Sequence, residues 1–129
     1  MTLFAKVEID LSNGQPTLIT SETILGPQNP TSINPSAGFA SVEKVVSASA
    51  DVYVLHLQDT YVRLLHAASV EDKQGATSYL DIPLRIAASF VDDQDDPQVG
   101  FKIASADITG GSGSTTVLFM LTLANSTAL

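Results

Sequence analysis

The chain has 129 residues, enough for one domain with its own core, and no cysteine, which excludes a disulfide framework and a thiolate metal centre. A hydrophobic fraction of 44% excludes disorder, and a charged fraction of 16%, against a usual value of about 25%, leaves apolar surface for subunit contacts to cover. Fourteen acidic against six basic residues give a net charge of −8, a field that repels polyanions, so no nucleic-acid partner is expected.

Met1 to Lys6 shows no basic segment leading into an apolar one, so no signal peptide is expected. No apolar run approaches the roughly 18 residues that cross a bilayer, so no membrane partner is expected. Leu3, Ala5, Val7, Ile9 and Leu11 alternate with Phe4, Lys6, Glu8 and Asp10, a period of two that predicts a strand with one wet face. Asn13-Gly14 is a hairpin signal, and Thr17 to Leu25 reads as the returning strand. Between Gly26 and Gly38, Pro27, Pro30 and Pro35 stand among Asn, Ser and Gly, which excludes helix and central strand. A loop this long is either functional, laid against a neighbour, or a linker to an N-terminal arm. The chain thus divides into residues 1–25, an N-terminal β-hairpin that could serve as an arm; 26–38, a Pro-rich loop; and 39–129, the main β-sandwich domain. Pro27, Pro30, Ile33 and Pro35 are the candidate partner contacts.

Phe39 to Ala48 predicts a strand with Glu43 and Lys44 at its middle. In Val52 to Leu57, Tyr53, Leu55 and Leu57 share one face and Val52, Val54 and His56 the other; both are largely apolar, so a central strand covered on both sides is expected. Beyond Gln58 two readings stay open: a short helical turn through Tyr61 to Leu64, capped by Asp59 or Thr60, or a direct bend into a strand over Arg63 to Val70. Glu71 to Gly75 is a charged turn. Leu80, Ile82, Leu84, Ile86, Ala88 and Phe90 then form one apolar face, and Pro83 places that strand at an edge or a bulge. Val99, Phe101 and Ile103 mark a further strand, Gly110 to Ser114 a flexible connection, and Thr116 to Leu123 the last strand, with Val117, Phe119 and Leu121 on one face. About eight strands and at most one helical turn make an all-β chain, an antiparallel β-sandwich or small barrel-like domain.

Site chemistry is sparse. Asp92, Asp93, Asp95 and Asp96 could supply calcium ligands, but the EF-hand spacing is absent and Pro97 follows directly, so a solvated loop is favoured. His56 and His66 lack HxH or HExxH spacing and read as satisfied, partly buried histidines; at a subunit contact, His66 would make association pH-sensitive. No Gly-x-Ser-x-Gly elbow occurs, and the Gly-rich segment lacks the lysine of a phosphate-binding loop. No spacing singles out a carboxylate pair for glycoside cleavage. No catalytic, cofactor-binding or metal residue is therefore assigned, and no enzyme or cofactor is expected. Tyr53 and Tyr61 could stack sugars, although their apolar neighbours favour core or interface packing.

Val52-Tyr53-Val54-Leu55-His56-Leu57-Gln58-Asp59, followed by Tyr61-Val62-Arg63-Leu64-Leu65, resembles the middle segment of small virion proteins of tailed bacteriophages. The hydrophobic last strand running into Leu121-Thr122-Leu123-Ala124-Asn125-Ser126 is similar to theirs as well, and together the resemblance spans about half the chain. It implies a capsid decoration (cement) or head-fibre protein, a symmetric oligomer, commonly a trimer, bound to the major capsid protein. The corresponding location is the outer surface of the virion, after synthesis in the bacterial cytoplasm. The alternative from another class is a receptor- or glycan-binding module of a phage tail or fibre.

Overall fold

Side-chain alternation at period two governs the architecture. The computed structural model describes residues 1–26, 29–46, 51–72, 85–103 and 113–125. Among these described residues ten strands succeed one another: β1 (Thr2–Asp10), β2 (Pro16–Leu18), β3 (Glu22–Leu25), β4 (Pro30–Ile33), β5 (Phe39–Val46), β6 (Asp51–Leu57), β7 (Arg63–Asp72), β8 (Arg85–Phe90), β9 (Gln98–Ile103) and β10 (Ser114–Ala124). There is no helix among the described residues. All pairings are antiparallel. They build a four-stranded sheet β2-β1-β10-β7, a second four-stranded sheet β5-β6-β9-β8, and a separate two-stranded hairpin β3-β4.

The two larger sheets supply the two sides of one core, as in a β-sandwich. Ala5, Val7 and Ile9 of β1 and Val117, Phe119, Leu121 and Leu123 of β10 come from one sheet; Phe39, Tyr53, Leu55, Leu57, Val99 and Phe101 come from the other. Phe119 and Phe101 meet across the interface with ring centroids 4.8 Å apart and tilted by 49°, a favoured aromatic geometry. Tyr61 and Val91, from connections, close the same cluster.

Residues 1–25 contribute β1 as an inner strand of the first sheet. Their turn is also tied to the second sheet: Tyr53 donates its buried hydroxyl to the Gly14 carbonyl at 2.7 Å, and Lys44 donates Nζ to the Asn13 carbonyl at 2.6 Å. Lys44 also lies 3.8 Å from the Asp51 carboxylate, with both side chains buried. Burying a cation against a carboxylate and a carbonyl compensates part of its desolvation.

Several expectations need correction. The hairpin expected at Asn13-Gly14 forms, β1 and β2 pairing antiparallel across it, though not as a two-residue type I′ turn: only Gly14 has a positive φ there, at 73°. The loop is longer, with Gly14 N–H donating to the Asp10 carbonyl and Asp10 N–H to the Gln15 carbonyl. The returning strand does not run from Thr17 to Leu25. It stops at Leu18, and Glu22–Leu25 pairs instead with Pro30–Ile33. The Pro-rich segment therefore holds a strand, tolerated because Pro30 is its first residue and β4 has a single strand neighbour. No helical turn follows β6; the chain bends directly into β7 at Arg63. Strand β6 is an inner strand whose core face is buried; on its other face Val54 is buried as well, while Val52 and His56 are partly exposed.

Leu80 to Leu84, with Pro83, lie outside the described residues, as do Ser126 and most of the Gly110–Ser114 connection. Strand β8 occupies a sheet edge. A bulge between Ile86 and Ala88 shifts its register, so the expected single apolar face is broken, and Ile86 and Phe90 are both about half exposed.

Candidate functional site

Among the described residues, the β3–β4 hairpin exposes three large aliphatic side chains. Leu25 is 84% exposed, Ile24 50% and Ile33 40%. A two-stranded ribbon with so little buried is marginal on its own in water, so what seats it matters. Strand β2 ends at Leu18, leaving the Lys6 N–H of β1 in need of a partner. Ser36, fully buried, supplies it: its Oγ accepts from Lys6 N at 2.8 Å and donates to the Ile19 carbonyl at 2.6 Å. The Ser36 N–H in turn donates to Asn34 Oδ1 at 2.8 Å, fixing the turn before β5. On the other leg, Lys6 Nζ pairs with Glu22 at the start of β3.

Gly38 completes the seat. Its φ of +97° is a conformation that L side chains rarely adopt, and a Cβ there would lie 2.9 Å from a Leu3 methyl. Only glycine meets both conditions at no cost. The hairpin thus stands on a hydrogen-bonded base, with Leu25 and Pro30 open to solvent.

Of the candidate contacts, Pro30 is exposed at the first position of β4 and Ile33 is partly exposed at its last. Pro35 is half-buried in the turn beside Ser36, and Pro27 lies outside the described residues. Ile24 and Leu25 were missed, because Thr17 to Leu25 reads as a continuous strand whose apolar residues should face the core. Beside the base of the hairpin lies an open cleft of about 250 Å³ lined by Thr2, Leu3, Phe4, Asn34, Pro35 and Ala37. The Phe4 ring is 52% exposed.

The second exposed cluster is polar. His56 projects from the outer face of β6 between two carboxylates, with Nδ1 2.7 Å from Asp96 Oδ1 and Nε2 3.0 Å from Glu43 Oε1. A neutral ring has one N–H and satisfies one carboxylate; the imidazolium satisfies both. Partial burial pulls the His56 pKa down, but the hydrogen bonds and charges of Asp96 and Glu43 outweigh it and raise the pKa above the ordinary 6.5.

The acidic loop is therefore held to the sheet. Asp93 Oδ1 accepts from the Asp95 and Asp96 N–H groups, and the Pro97 carbonyl accepts from Leu57 N–H at 2.8 Å. Asp92, Asp93, Asp95 and Asp96 are themselves exposed, and among the described residues no group of three or more His, Asp or Glu could hold a metal ion. His66 sits on β7, exposed and away from His56 in the sheet order.

Neither tyrosine offers a stacking platform. Tyr53 is fully buried and Tyr61 6% exposed; burial pushes both phenols above their ordinary pKa. A second open cleft, of about 400 Å³, includes Leu64, Ile86 and Val91 together with the charged Arg63 and Asp92. No helix among the described residues is long and apolar enough to cross a membrane.

The fold and its exposed features define an antiparallel all-β, sandwich-like domain with a projecting apolar hairpin. No family model, no curated protein and no solved structure matches the chain.

Proposed function

We propose that the protein is a non-enzymatic structural protein that acts by association: a decoration (cement) protein that binds the outer surface of a phage head as a symmetric oligomer, trimeric by preference, with the major capsid protein as partner. One observation carries the mode of action. The β3–β4 hairpin is seated on the sandwich through the buried Ser36 and presents Ile24, Leu25 and Ile33 to solvent. An ordered element that exposes large aliphatic side chains is the signature of a contact surface. Extended ribbons of this kind bind through main-chain pairing and side-chain pockets. The phage setting rests on the resemblance of Val52 to Asp59 and Tyr61 to Leu65 to small virion proteins. The acidic surface then keeps decorated particles apart.

Mass spectrometry of particles purified from the source culture tests this reading. The protein is expected in amounts comparable to the major capsid protein, with cryo-electron microscopy placing it on the outer shell. Its absence from particles overturns the phage-head assignment.

A further inference from the structure

His56 stands where three segments far apart in the sequence meet on the outer face of the second sheet. In register it lies between Ser41 of β5 and Gln98 of β9, with Glu43 further along β5 and Asp96 just before β9. Its ring spans both carboxylates, with Nδ1 2.7 Å from Asp96 and Nε2 3.0 Å from Glu43. Among the described residues no other cation pairs with either carboxylate. Lys44 of β5 is committed to Asn13 and Asp51, and Lys102 of β9 pairs in register with Val52, near the opposite end of β6. Asp93 Oδ1 is taken by the N–H groups of its own loop. The charges acting on the ring are thus those of Asp96 and Glu43.

An imidazolium donates through both nitrogens, whereas a neutral imidazole keeps one N–H and carries a lone pair on the other nitrogen. A lone pair set against a carboxylate oxygen is repulsive, so loss of the proton opens one of the two contacts. The two carboxylates are not held alike. Asp96 is anchored independently of His56: its N–H donates to Asp93 Oδ1 at 3.2 Å, its Oδ2 accepts from Gln98 at 3.3 Å, and the next residue, Pro97, accepts from Leu57 N–H at 2.8 Å. The Glu43 carboxylate, among the described residues, is held by His56 alone.

We infer that His56 is a proton-operated clasp: protonated, it fastens Glu43 of β5 and the Asp96 loop to one ring, and on losing its proton it keeps Asp96 and releases Glu43. Partial burial opposes the charged ring, but the hydrogen bonds and charges of the two carboxylates outweigh it and lift its pKa above 6.5, so the clasp opens on the alkaline side of that value. Opening removes a positive charge and frees a carboxylate. The outer face beside the edge strand β5 therefore grows more negative as the pH rises. This device belongs to the sandwich itself and goes beyond the association proposed above.

Long-range proton–nitrogen correlation spectra of the full chain, labelled with ¹⁵N, read the protons on the ring directly, and His66→Gln removes the signals of the second histidine. Below the His56 midpoint both ring nitrogens should carry a proton; above it, Nδ1 alone. The side-chain carboxyl resonance of Glu43 should shift through the same midpoint. Glu43→Gln should lower the midpoint and leave the alkaline proton on Nδ1. Asp96→Asn should lower it and move that proton to Nε2, since Glu43 is then the one anion left to the ring. Glu43 and Asp96 are both exposed, and the wild-type spectrum decides the tautomer without either variant. A wild-type ring protonated at Nε2 above the midpoint, or at both positions equally, overturns the release of Glu43. A midpoint unmoved by Glu43→Gln overturns the clasp as a whole. Each outcome is independent of whether the protein is found on phage heads.

Discussion

The β3–β4 hairpin and the acidic patch around His56 are both exposed, and both are pinned to the sandwich by side-chain hydrogen bonds. They differ in what exposure costs. Asp92, Asp93, Asp95 and Asp96 are exposed, and water together with the loop's own hydrogen bonds satisfies carboxylates so placed. Ile24, Leu25 and Ile33 gain nothing from water, and burying each such side chain is worth roughly 1.5–3 kcal/mol. An exposed acidic loop thus needs no partner to explain it, whereas an ordered, exposed aliphatic ribbon does.

Measurements of stability can break that distinction. Phe119 is fully buried against Phe101, so Phe119→Ala should cost about 3–5 kcal/mol in urea unfolding. Leu25→Ala, in monomer at high dilution, should stay within about 0.5 kcal/mol of wild type. A large loss at Leu25 under those conditions would mean that the hairpin serves the fold and not an interface.

Ser36→Ala tests the seat between those two limits. It strands the Lys6 N–H and the Ile19 carbonyl, for an expected cost of about 1–3 kcal/mol. Hydrogen exchange at Lys6 should accelerate more than at Val7, its neighbour on the β10 side of the strand. Uniform acceleration along β1 would deny Ser36 its local role.

The smallest effect belongs to His56. Because its folded pKa lies above 6.5, its contribution is fully present below pH 6.5 and lost as the pH rises through the folded value. At an exposed site that contribution is at most about 1 kcal/mol. An NMR titration should show the His56 midpoint above 6.5, falling when Asp96→Asn removes one carboxylate. A wild-type midpoint at or below 6.5 would remove the electrostatic tie between the acidic loop and the sheet.

Most of the sandwich was legible because its strands obey simple alternation. Leu3 to Ile9, Tyr53 to Leu57 and Val117 to Leu123 each show which face is buried, and in each case the apolar set packs in the core. Local rules misled where tertiary partners decide. The prolines excluded only a helix and a central strand, and the segment read as a loop, yet Pro30 to Ile33 forms a strand of a two-stranded ribbon, which tolerates a proline at its first position. The bulge beyond Ile86 shifts the pattern of β8 in a way that alternation alone cannot announce.

The candidate site was half legible. The Pro-rich segment signalled a special surface through composition, but Leu25 was hidden in an apparently continuous strand. The pairing of His56 with Asp96 joins residues 40 positions apart, and no local spacing encodes such a contact.

Strands β1 and β10 lie far apart in the sequence yet pair with each other. Thr2 to Asp10 aligns along its whole length with Ser114 to Thr122, and Leu123 N–H donates to the Met1 carbonyl at 2.8 Å. During translation at about 5–20 residues per second, β1 waits on the order of ten seconds before its main partner exists. The decisive pairing of that sheet therefore waits for β10, and until then the nascent chain carries an unsatisfied strand edge. Such an edge is an invitation to mispair with neighbouring chains on the same messenger. The period of greatest aggregation risk therefore falls before Ser114–Ala124 emerges from the ribosome.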